Sequence, residues 1–205
     1  MNIAAARRLA FGRAHGLVLR DVSITVGSRE RIAIVGDNGA GKSTLLRLLV
    51  GLERPARGVV QVAPAGCGYV PQAAQGSLFP WFSVLKNVAM PRLVAGCADA
   101  EEIALECLRH VAASLPPKRR AAALSGGERQ AVALARALAA PGPAVFADEP
   151  FSALAPELRD SARRAVDAAL GERALVLVTH EREDAVALGA RLVRLEHGVL
   201  SEGAA

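Results

Sequence analysis

The sequence predicts an α/β fold with a mainly parallel core sheet, and three observations lead to that class. An apolar run at residues 31–35 passes through a glycine-rich turn into a periodic segment at residues 42–52, the pattern of strand, loop and helix. From residue 127 onward, short apolar segments alternate with helical ones, as in parallel sheets. Apolar residues make up 52% of the 205 residues and charged residues 22%, which allows a buried core and excludes a disordered chain.

Several short strands surround the glycine-rich turn. Residues 17–26 alternate in part between apolar and polar types, which predicts a half-buried strand. Further strands are predicted at residues 59–62 and 68–70. The middle of the chain is helical, with helices at residues 83–90 and 98–113. Pro91 and Gly96 are expected to separate these two helices, and a proline pair at residues 116–117 ends the second.

The last third of the chain returns to alternation. The predicted elements are a helix at residues 127–139, a strand at 144–147, a helix opened by Pro156, a strand at 174–178, a short helix after Glu181 and a strand pair around 192–200. A block of helices between two α/β parts indicates a helical subdomain, at about residues 76–140.

Composition and charge exclude several classes of function. Aromatic residues make up only 3%, which disfavours nucleic-acid readers that stack bases on aromatic side chains. The net charge is +5, but the arginines are scattered, so no nucleic-acid partner is expected. No uninterrupted apolar run reaches the length of about 18 residues needed to cross a bilayer. The three cysteines lack CxxC spacing and are expected to be reduced packing residues.

Residues 36–44 match the phosphate-loop pattern GxxxxGK[ST] between a predicted strand and a predicted helix. Glycine lets backbone N–H groups turn inward around an anion, and the helix N-terminus adds its positive dipole end. The lysine supplies a charge for the β- and γ-phosphates, and the first hydroxyl residue a ligand for Mg²⁺. The candidate ATP-binding residues are Gly36, Asp37, Asn38, Gly39, Ala40, Gly41, Lys42, Ser43 and Thr44.

Three later segments carry candidate catalytic groups. An apolar strand ends in Asp148, which can hold the metal through water, and Glu149, which can polarise an attacking water. Another strand ends at His180, near the expected position of a γ-phosphate. The segment LSGGERQ at residues 124–130 places a serine hydroxyl and a helix N-terminus together, a second anion site. Taken alone, that segment also fits an ordinary capping box between Ser125 and Glu128.

With these motifs in this order, the chain resembles the ATP-binding subunits of ABC transporters from about residue 11 to residue 198. The resemblance implies a P-loop NTPase fold with an antiparallel β-subdomain and an inserted helical subdomain. It also implies one ABC ATP-binding domain over residues 1–205, without a C-terminal regulatory domain. The expected activity is ATP hydrolysis coupled to transmembrane transport, with ATP and Mg²⁺ as cofactors.

The resemblance assigns roles to individual residues. Glu149 is the catalytic base, His180 the switch histidine on the γ-phosphate, and Lys42 the third catalytic residue. Gln72 is the Q-loop residue that contacts Mg²⁺, together with Ser43 and Asp148, and couples the site to the membrane partner. Phe11 matches the aromatic residue that stacks on adenine. The signature residues Ser125, Gly126, Gly127 and Glu128 close over the ATP held by a second subunit.

The implied partners follow from that arrangement. A monomer has half of each site, so a second ATP-binding subunit is expected, in a homodimer. Transmembrane permease subunits and a solute-binding protein complete the transporter, which places this chain on the cytoplasmic face of the inner membrane. Residues 76–88 are similar to a segment of nitrate, sulfonate and taurine importers, which favours import of such a solute. The alternatives are a soluble ABC-type ATPase acting on nucleic acid or the ribosome, and a small-molecule kinase.

Three positions depart from the family pattern. Ala155 stands where an aspartate usually follows the Ser-Ala-Leu segment, so a helix cap and a contact across the dimer are missing. Ala131 replaces an arginine after Glu-Arg-Gln. Arg29 occupies a position where a turn glycine is common. The core catalytic residues are all present, so activity is expected, with weaker coupling between the two sites.

Overall fold

The computed structural model describes residues 2–13, 16–62, 66–74 and 76–202. Its strands are β1 Asn2–Arg13, β2 Gly16–Gly27, β3 Arg31–Val35, β4 Arg57–Gln61, β5 Gly68–Val70, β6 Ala144–Asp148, β7 Ala174–Val178, β8 Arg191–Glu196 and β9 Val199–Glu202. Its helices are α1 Lys42–Leu49, α2 Val84–Val94, α3 Ala100–Val111, α4 Gly126–Ala139, α5 Pro156–Leu170 and α6 Arg182–Ala187. The predicted α/β class is confirmed. None of the helices within these ranges is long and apolar enough to cross a bilayer.

The core sheet has six strands in the order β5-β6-β7-β3-β8-β9, with parallel pairing throughout except between β8 and β9. Its strands β6 and β7 are buried at every residue, as expected when helices cover both faces. Because β3, β6 and β7 are parallel neighbours, the segments that follow them emerge at one edge. That edge receives the phosphate loop, Asp148–Glu149 and His180.

A second sheet of three antiparallel strands has the order β2-β1-β4. Its middle strand β1 was not predicted, because alanines and the pair Arg7–Arg8 give no period of two, and the register with β2 shifts between Ala6 and Leu9. Arg8 has a positive φ of 47° at this irregularity. A hydrogen bond from Arg20 N–H to Gly198 O (2.7 Å) ties β2 to the hairpin of the core sheet.

Helices α2, α3 and α4 pack against one another and share one apolar core with the core sheet. The expectation that Pro91 ends the first of them was wrong, since α2 continues through it to Val94. A proline removes its own N–H, but its carbonyl still accepts from Ala95 N–H (3.1 Å), and packing maintains the helix. The break falls at Gly96, whose φ is 73°.

Arg173 joins the C-terminal ends of α4 and α5. Its guanidinium donates to the carbonyls of Leu138 (2.7 Å) and Ala140 (3.2 Å) at the end of α4. It also donates to those of Ala169 (2.8 Å) and Leu170 (3.1 Å) at the end of α5. One side chain thus provides hydrogen bonds to the last carbonyls of both helices, which have no partner within the helix.

Candidate active site

The phosphate loop between β3 and α1 is shaped by glycines with positive φ. At Gly36 (φ 150°), a Cβ would lie 2.1 Å from Leu195 O, and at Gly41 (φ 102°) it would lie 2.8 Å from a Leu19 methyl. Gly39 (φ 82°) has no heavy atom within 4 Å of such a Cβ. The loop is therefore held closely on its protein side and open on the other, as an anion cradle requires.

Lys42, the first residue of α1, is 6% exposed. Its Nζ donates to Gly36 O (2.8 Å) and Asp37 O (2.9 Å). Burial lowers the pKa of Lys42, and the nearby carboxylates of Glu149 and Asp148 oppose that shift. The ammonium is thus fixed over the loop where phosphate oxygens would lie.

A cavity of about 300 Å³ opens above this loop and brings together residues from four stretches of the chain. Its lining residues are Val18, Asn38, Gly39, Gly41, Lys42, Ser43, Thr44, Arg47, Gln72 and Glu149. Val18 and Arg47 were not predicted, since neither belongs to a phosphate-binding pattern. Phe11 lies on β1 opposite Leu19, where it packs half-buried against the apolar core with Val18.

Asp148 ends β6 and is 2% exposed. Burial raises the pKa of Asp148, a hydrogen bond from Ser43 opposes the shift, and the charge of Glu149 adds to it. Its Oδ1 atom has no hydrogen-bond partner among the described residues. A buried carboxylate oxygen in that state costs about 1–3 kcal/mol unless a cation or water reaches it. The donor set of Asp148, Ser43 and Gln72 is all oxygen, which fits Mg²⁺.

Glu149 occupies a strained backbone conformation, with a positive φ of 48°. Its N–H donates to Val178 O (2.9 Å), and its carbonyl accepts from Ser152 Oγ (2.9 Å). Its Oε1 lies 2.8 Å from His180 Nε2, and the His180 side chain is 40% exposed. Strained backbone conformations that neighbouring bonds maintain are concentrated at functional sites. In this conformation, the Glu149 carboxylate faces the cavity and contacts the imidazole.

The signature segment forms the N-terminus of α4 with a complete capping box. Ser125 Oγ accepts from Glu128 N–H (3.3 Å), and Glu128 Oε2 accepts from Ser125 N–H (2.7 Å). Arg119 donates to the other oxygen of Glu128 (2.8 Å). These bonds lower the pKa of Glu128. The carboxylate of Glu128 thus serves its own helix, while the Ser125 hydroxyl hydrogen and the N–H groups of Gly126 and Gly127 point to no helical acceptor.

Within the described residues, the structure does not bring the signature to the phosphate cavity. Ser125, Gly127 and Glu128 line a different cavity of about 510 Å³. Ala131 and Ala155, two departures from the family pattern, line that same cavity. The third departure, Arg29, has a φ of 66°, which is the left-handed conformation that favours glycine. Its side chain pairs with Glu172 (2.6 Å).

An ion network behind His180 was also missed by sequence reasoning. Arg163 of α5 pairs with Asp184 of α6 (2.6 Å) and with Glu181 (2.9 Å). Asp184 accepts a hydrogen bond from the Thr179 hydroxyl. The charges are 18 and 21 residues apart in the chain, so no local pattern could have shown that they meet.

Comparisons with known proteins agree with this geometry. A family model described as ABC transporter matches residues 19–152. The Fe(3+) ions import ATP-binding protein FbpC 2 of Pectobacterium atrosepticum is 39% identical, and the alignment covers 90% of this chain and 58% of that protein. The aliphatic sulfonates import ATP-binding protein SsuB 1 of Rhodococcus jostii is 38% identical, covering 87% and 73%. The lipoprotein-releasing system ATP-binding protein LolD of Chromohalobacter salexigens is 38% identical, covering 91% and 86%.

Solved structures show the same fold. A dimeric post-hydrolysis state of the ATP-binding cassette MJ0796, bound to ADP and Pi, has a TM-score of 0.84 at 25% identity and covers 97% of this chain. The alignment takes in 98% of that cassette. A metal-chelate type ABC transporter in an inward-facing conformation has a TM-score of 0.81 at 29% identity, with 99% and 83% covered.

The chain spans about three fifths of the length of the iron-import relatives that it matches. The family model covers most of the chain, and the relatives exceed one third identity over nearly all of it. With the phosphate loop, the paired carboxylates and the capped signature helix in place, this chain belongs to the ABC transporter family, as an ATP-binding domain.

Proposed function

We propose that this chain binds and hydrolyses Mg-ATP as the motor subunit of a transporter that imports a small solute. The observation that carries the proposal is the contact of 2.8 Å between Glu149 Oε1 and His180 Nε2. Glu149 lines the phosphate cavity, and His180 lines a neighbouring cavity together with Gly36 and Asp37 of the phosphate loop. A carboxylate and an imidazole held together beside a phosphate cradle can hold and move the proton of an attacking water.

In this mechanism the phosphate loop and Lys42 bind the phosphates through N–H groups and the ammonium. Ser43, Asp148 and Gln72 would hold Mg²⁺, which would neutralise charge on the phosphate oxygens. Asp148 fits that role because its buried Oδ1 has no partner in the described part of the chain. The loop residues Gly36 through Thr44 act as the nucleotide cradle, and Phe11 on β1 is the proposed adenine contact.

Glu149 accepts the proton of the water that attacks the γ-phosphorus. The phosphorus–oxygen bond to ADP then breaks, and phosphate leaves with the oxygen of that water. His180 donates its Nε2 proton toward Glu149 or toward a γ-phosphate oxygen and so orients both. The strained backbone of Glu149 fixes the carboxylate in advance, which is how preorganised groups lower a barrier.

A second copy of the chain completes the site. The hydroxyl hydrogen of Ser125 and the N–H groups of Gly126 and Gly127 suit the γ-phosphate held by a partner's loop. Glu128 supports this surface by capping α4. A head-to-tail homodimer follows, and the dimeric cassette at a TM-score of 0.84 supports it.

The proposed binding surface for the membrane partners is an aromatic cluster, defined as Phe79, Trp81 and Phe82. Phe79 and Trp81 are exposed, and Phe82 is half-buried. Their ring centroids lie 5.4–6.1 Å apart, and Trp81 is 61% exposed. Asn87 holds the loop by bonds to both backbone groups of Phe79 (2.8 and 3.0 Å). A permease subunit would bind here, in the proposed helical subdomain of residues 76–140, on the cytoplasmic face of the membrane. The sulfonate-importer relative favours solutes such as sulfonate, taurine or nitrate, delivered by a solute-binding protein.

The direct test uses Glu149→Gln. The variant should bind Mg-ATP with the affinity of the wild type and lose at least 100-fold in turnover, because an amide cannot serve as the base. Glu157→Gln, an exposed glutamate in the first turn of α5, is the matched control. Turnover in Glu149→Gln equal to that of the control would remove Glu149 from its role. Co-purification of a permease with the wild type, lost in Trp81→Ala, would support the transport assignment.

A further inference from the structure

The residues on both sides of His180, Thr179 and Glu181, belong to one network of hydrogen bonds and ion pairs. Thr179, which precedes His180, is 3% exposed. The Thr179 hydroxyl donates to Asp184 Oδ2 and accepts from Glu181 N–H (3.0 Å). Its backbone N–H donates to Ile34 O (3.2 Å), which keeps it on the core sheet next to β3.

Asp184 is the buried centre of this network, with 5% of its side chain exposed. While Oδ2 binds Thr179, Oδ1 accepts from Arg163 Nε (2.7 Å) and Nη2 (2.6 Å). Both carboxylate oxygens therefore have defined partners. A buried pair with this geometry fixes one arrangement more than it adds stability.

Arg163 extends the network to α5 and to the other side of His180. Its Nη2 reaches Glu181 Oε2 (2.9 Å), and its Nη1 reaches Asp160 (2.8 Å). The second oxygen of Glu181 pairs with Arg159. The residues before and after His180 are thus both tied, directly or through Asp184, to the same helix.

Helix α5 also connects to Glu149 by a second route. It begins at Pro156, after the short loop that follows Glu149, and Ser152 in that loop bonds to the Glu149 carbonyl (2.9 Å). Helix α5 is therefore linked to both members of the Glu149–His180 contact. The link to Glu149 runs along the backbone, and the link to His180 runs through Arg163.

We propose that Thr179, Asp184 and Arg163 are positioning residues that hold the His180 imidazole against Glu149 and link this contact to the placement of α5. The proposal rests on the proposed function, in which that contact handles the proton of the attacking water. A network that serves only stability would leave the coupling between Glu149 and His180 unchanged when the Thr179 hydroxyl is removed.

The test observes the imidazole directly. The four histidines are labelled with ¹⁵N, and the ring signals of His180 are assigned by their loss in His180→Gln. In the wild type, Glu149→Gln should shift the His180 signals. In Thr179→Val, which keeps the side-chain size, the same Glu149→Gln change should shift them by less than half as much. Thr179→Ser should restore the full shift, and Thr25→Val, on the exposed face of β2, should have no effect.

Turnover gives the second readout. Thr179→Val should lower kcat at least fivefold while KM for Mg-ATP changes less than twofold, with recovery in Thr179→Ser. If Thr179→Val destabilises the protein, Arg163→Lys is used in its place. This variant keeps the positive charge but loses the paired guanidinium bonds to Asp184. Two results in folded Thr179→Val would overturn the proposal. One is a shift of the His180 signals on Glu149→Gln that is as large as in the wild type, and the other is a kcat equal to that of Thr25→Val. Unchanged turnover in Glu149→Gln would instead overturn the proposed function and leave the coupling measurement intact.

Discussion

The ammonium of Lys42 lies 2.8 Å from the carbonyl oxygen of Gly36, so the lysine and the loop that it serves are bonded to each other. A second bond to Asp37 O (2.9 Å) completes this arrangement. Phosphate oxygens approaching the loop therefore meet a cation whose stem is already buried and whose position is set. The side chain loses little conformational entropy on binding a nucleotide.

Lys42→Ala should weaken ATP binding by about 10–100-fold, the range expected when one or two charge-assisted hydrogen bonds are lost. Isothermal titration calorimetry measures the affinity for ATP. The control is Lys118→Ala, which removes an exposed lysine outside the phosphate loop. Because burial lowers the pKa of Lys42, binding by the wild type should also decline with rising alkaline pH sooner than for an ordinary lysine. Equal affinities in both variants would contradict this role.

Asp148 provides a test through stability. Burial raises the pKa of Asp148, so the folded protein holds that proton more tightly than the unfolded chain does. The charged form therefore destabilises the fold above its folded pKa, and the penalty vanishes as the pH falls below the unfolded value. At pH 8 and without nucleotide, Asp148→Asn should raise the free energy of unfolding by about 1–3 kcal/mol, which is measured as a higher Tm.

The gain from Asp148→Asn should shrink toward pH 4, and Mg²⁺-dependent nucleotide binding should be lost in the same variant. Asp21→Asn, an exposed aspartate on β2, should show neither effect. A pH-independent gain would mean that the change acts through packing and not through the buried charge.

The signature surface predicts a nucleotide-dependent dimer. Glu149→Gln with ATP should shift from monomer to dimer in light scattering, and adding Ser125→Arg should abolish that shift. An arginine side chain would fill the space in which the partner's γ-phosphate lies. Ser201→Arg, an exposed serine on β9, is the control with the same change. A dimer that survives Ser125→Arg would place the contact elsewhere.

Ala155 is the N-cap residue of α5, with extended backbone (φ −59°, ψ 142°) and no side-chain cap. Ala155→Asp should therefore satisfy free N–H groups of the first turn and raise the unfolding free energy by about 0.5–2 kcal/mol. Ala153→Asp adds the same charge outside the cap and should not stabilise. Thermal melts measure this, and ATPase cooperativity in the assembled transporter should rise with the aspartate. A lower Tm would mean that the loop has adapted to alanine.

The core sheet was predictable because its strands are continuous apolar runs beside glycine-rich turns. β5 matches its predicted bounds, and β6 differs by one residue. β1 was missed because the register shifts near Arg8 remove the period of two. The extent of α2 was underestimated because Pro91 was weighed by local preference, whereas packing against α3 and α4 decides where that helix ends.

Part of the candidate site was predictable from the sequence, and part of it was not. Lys42, Ser43 and Glu149 line one cavity with Gln72, as their motifs predicted, because short motifs at strand ends carry their own geometry. Arg47 could not be predicted as a lining residue, since it lies one turn beyond the motif. The pairing of Arg163 with Asp184 depends on how α5 meets α6, which no local pattern records.

The hydrogen bonds of Arg173 hold the end of the signature helix that lies away from Ser125. Because these bonds join the last turn of α4 to the last turn of α5, this end of α4 would be the pivot of any tilt of the helix. With 14 residues, α4 is about 20 Å long. A tilt of about 10° about that pivot carries Ser125 by about 3–4 Å, a hydrogen-bond length, over a helix of this rise. In the proposed dimer, a tilt of this size would change the distance from Ser125 to the partner's phosphate without any internal rearrangement of the helix.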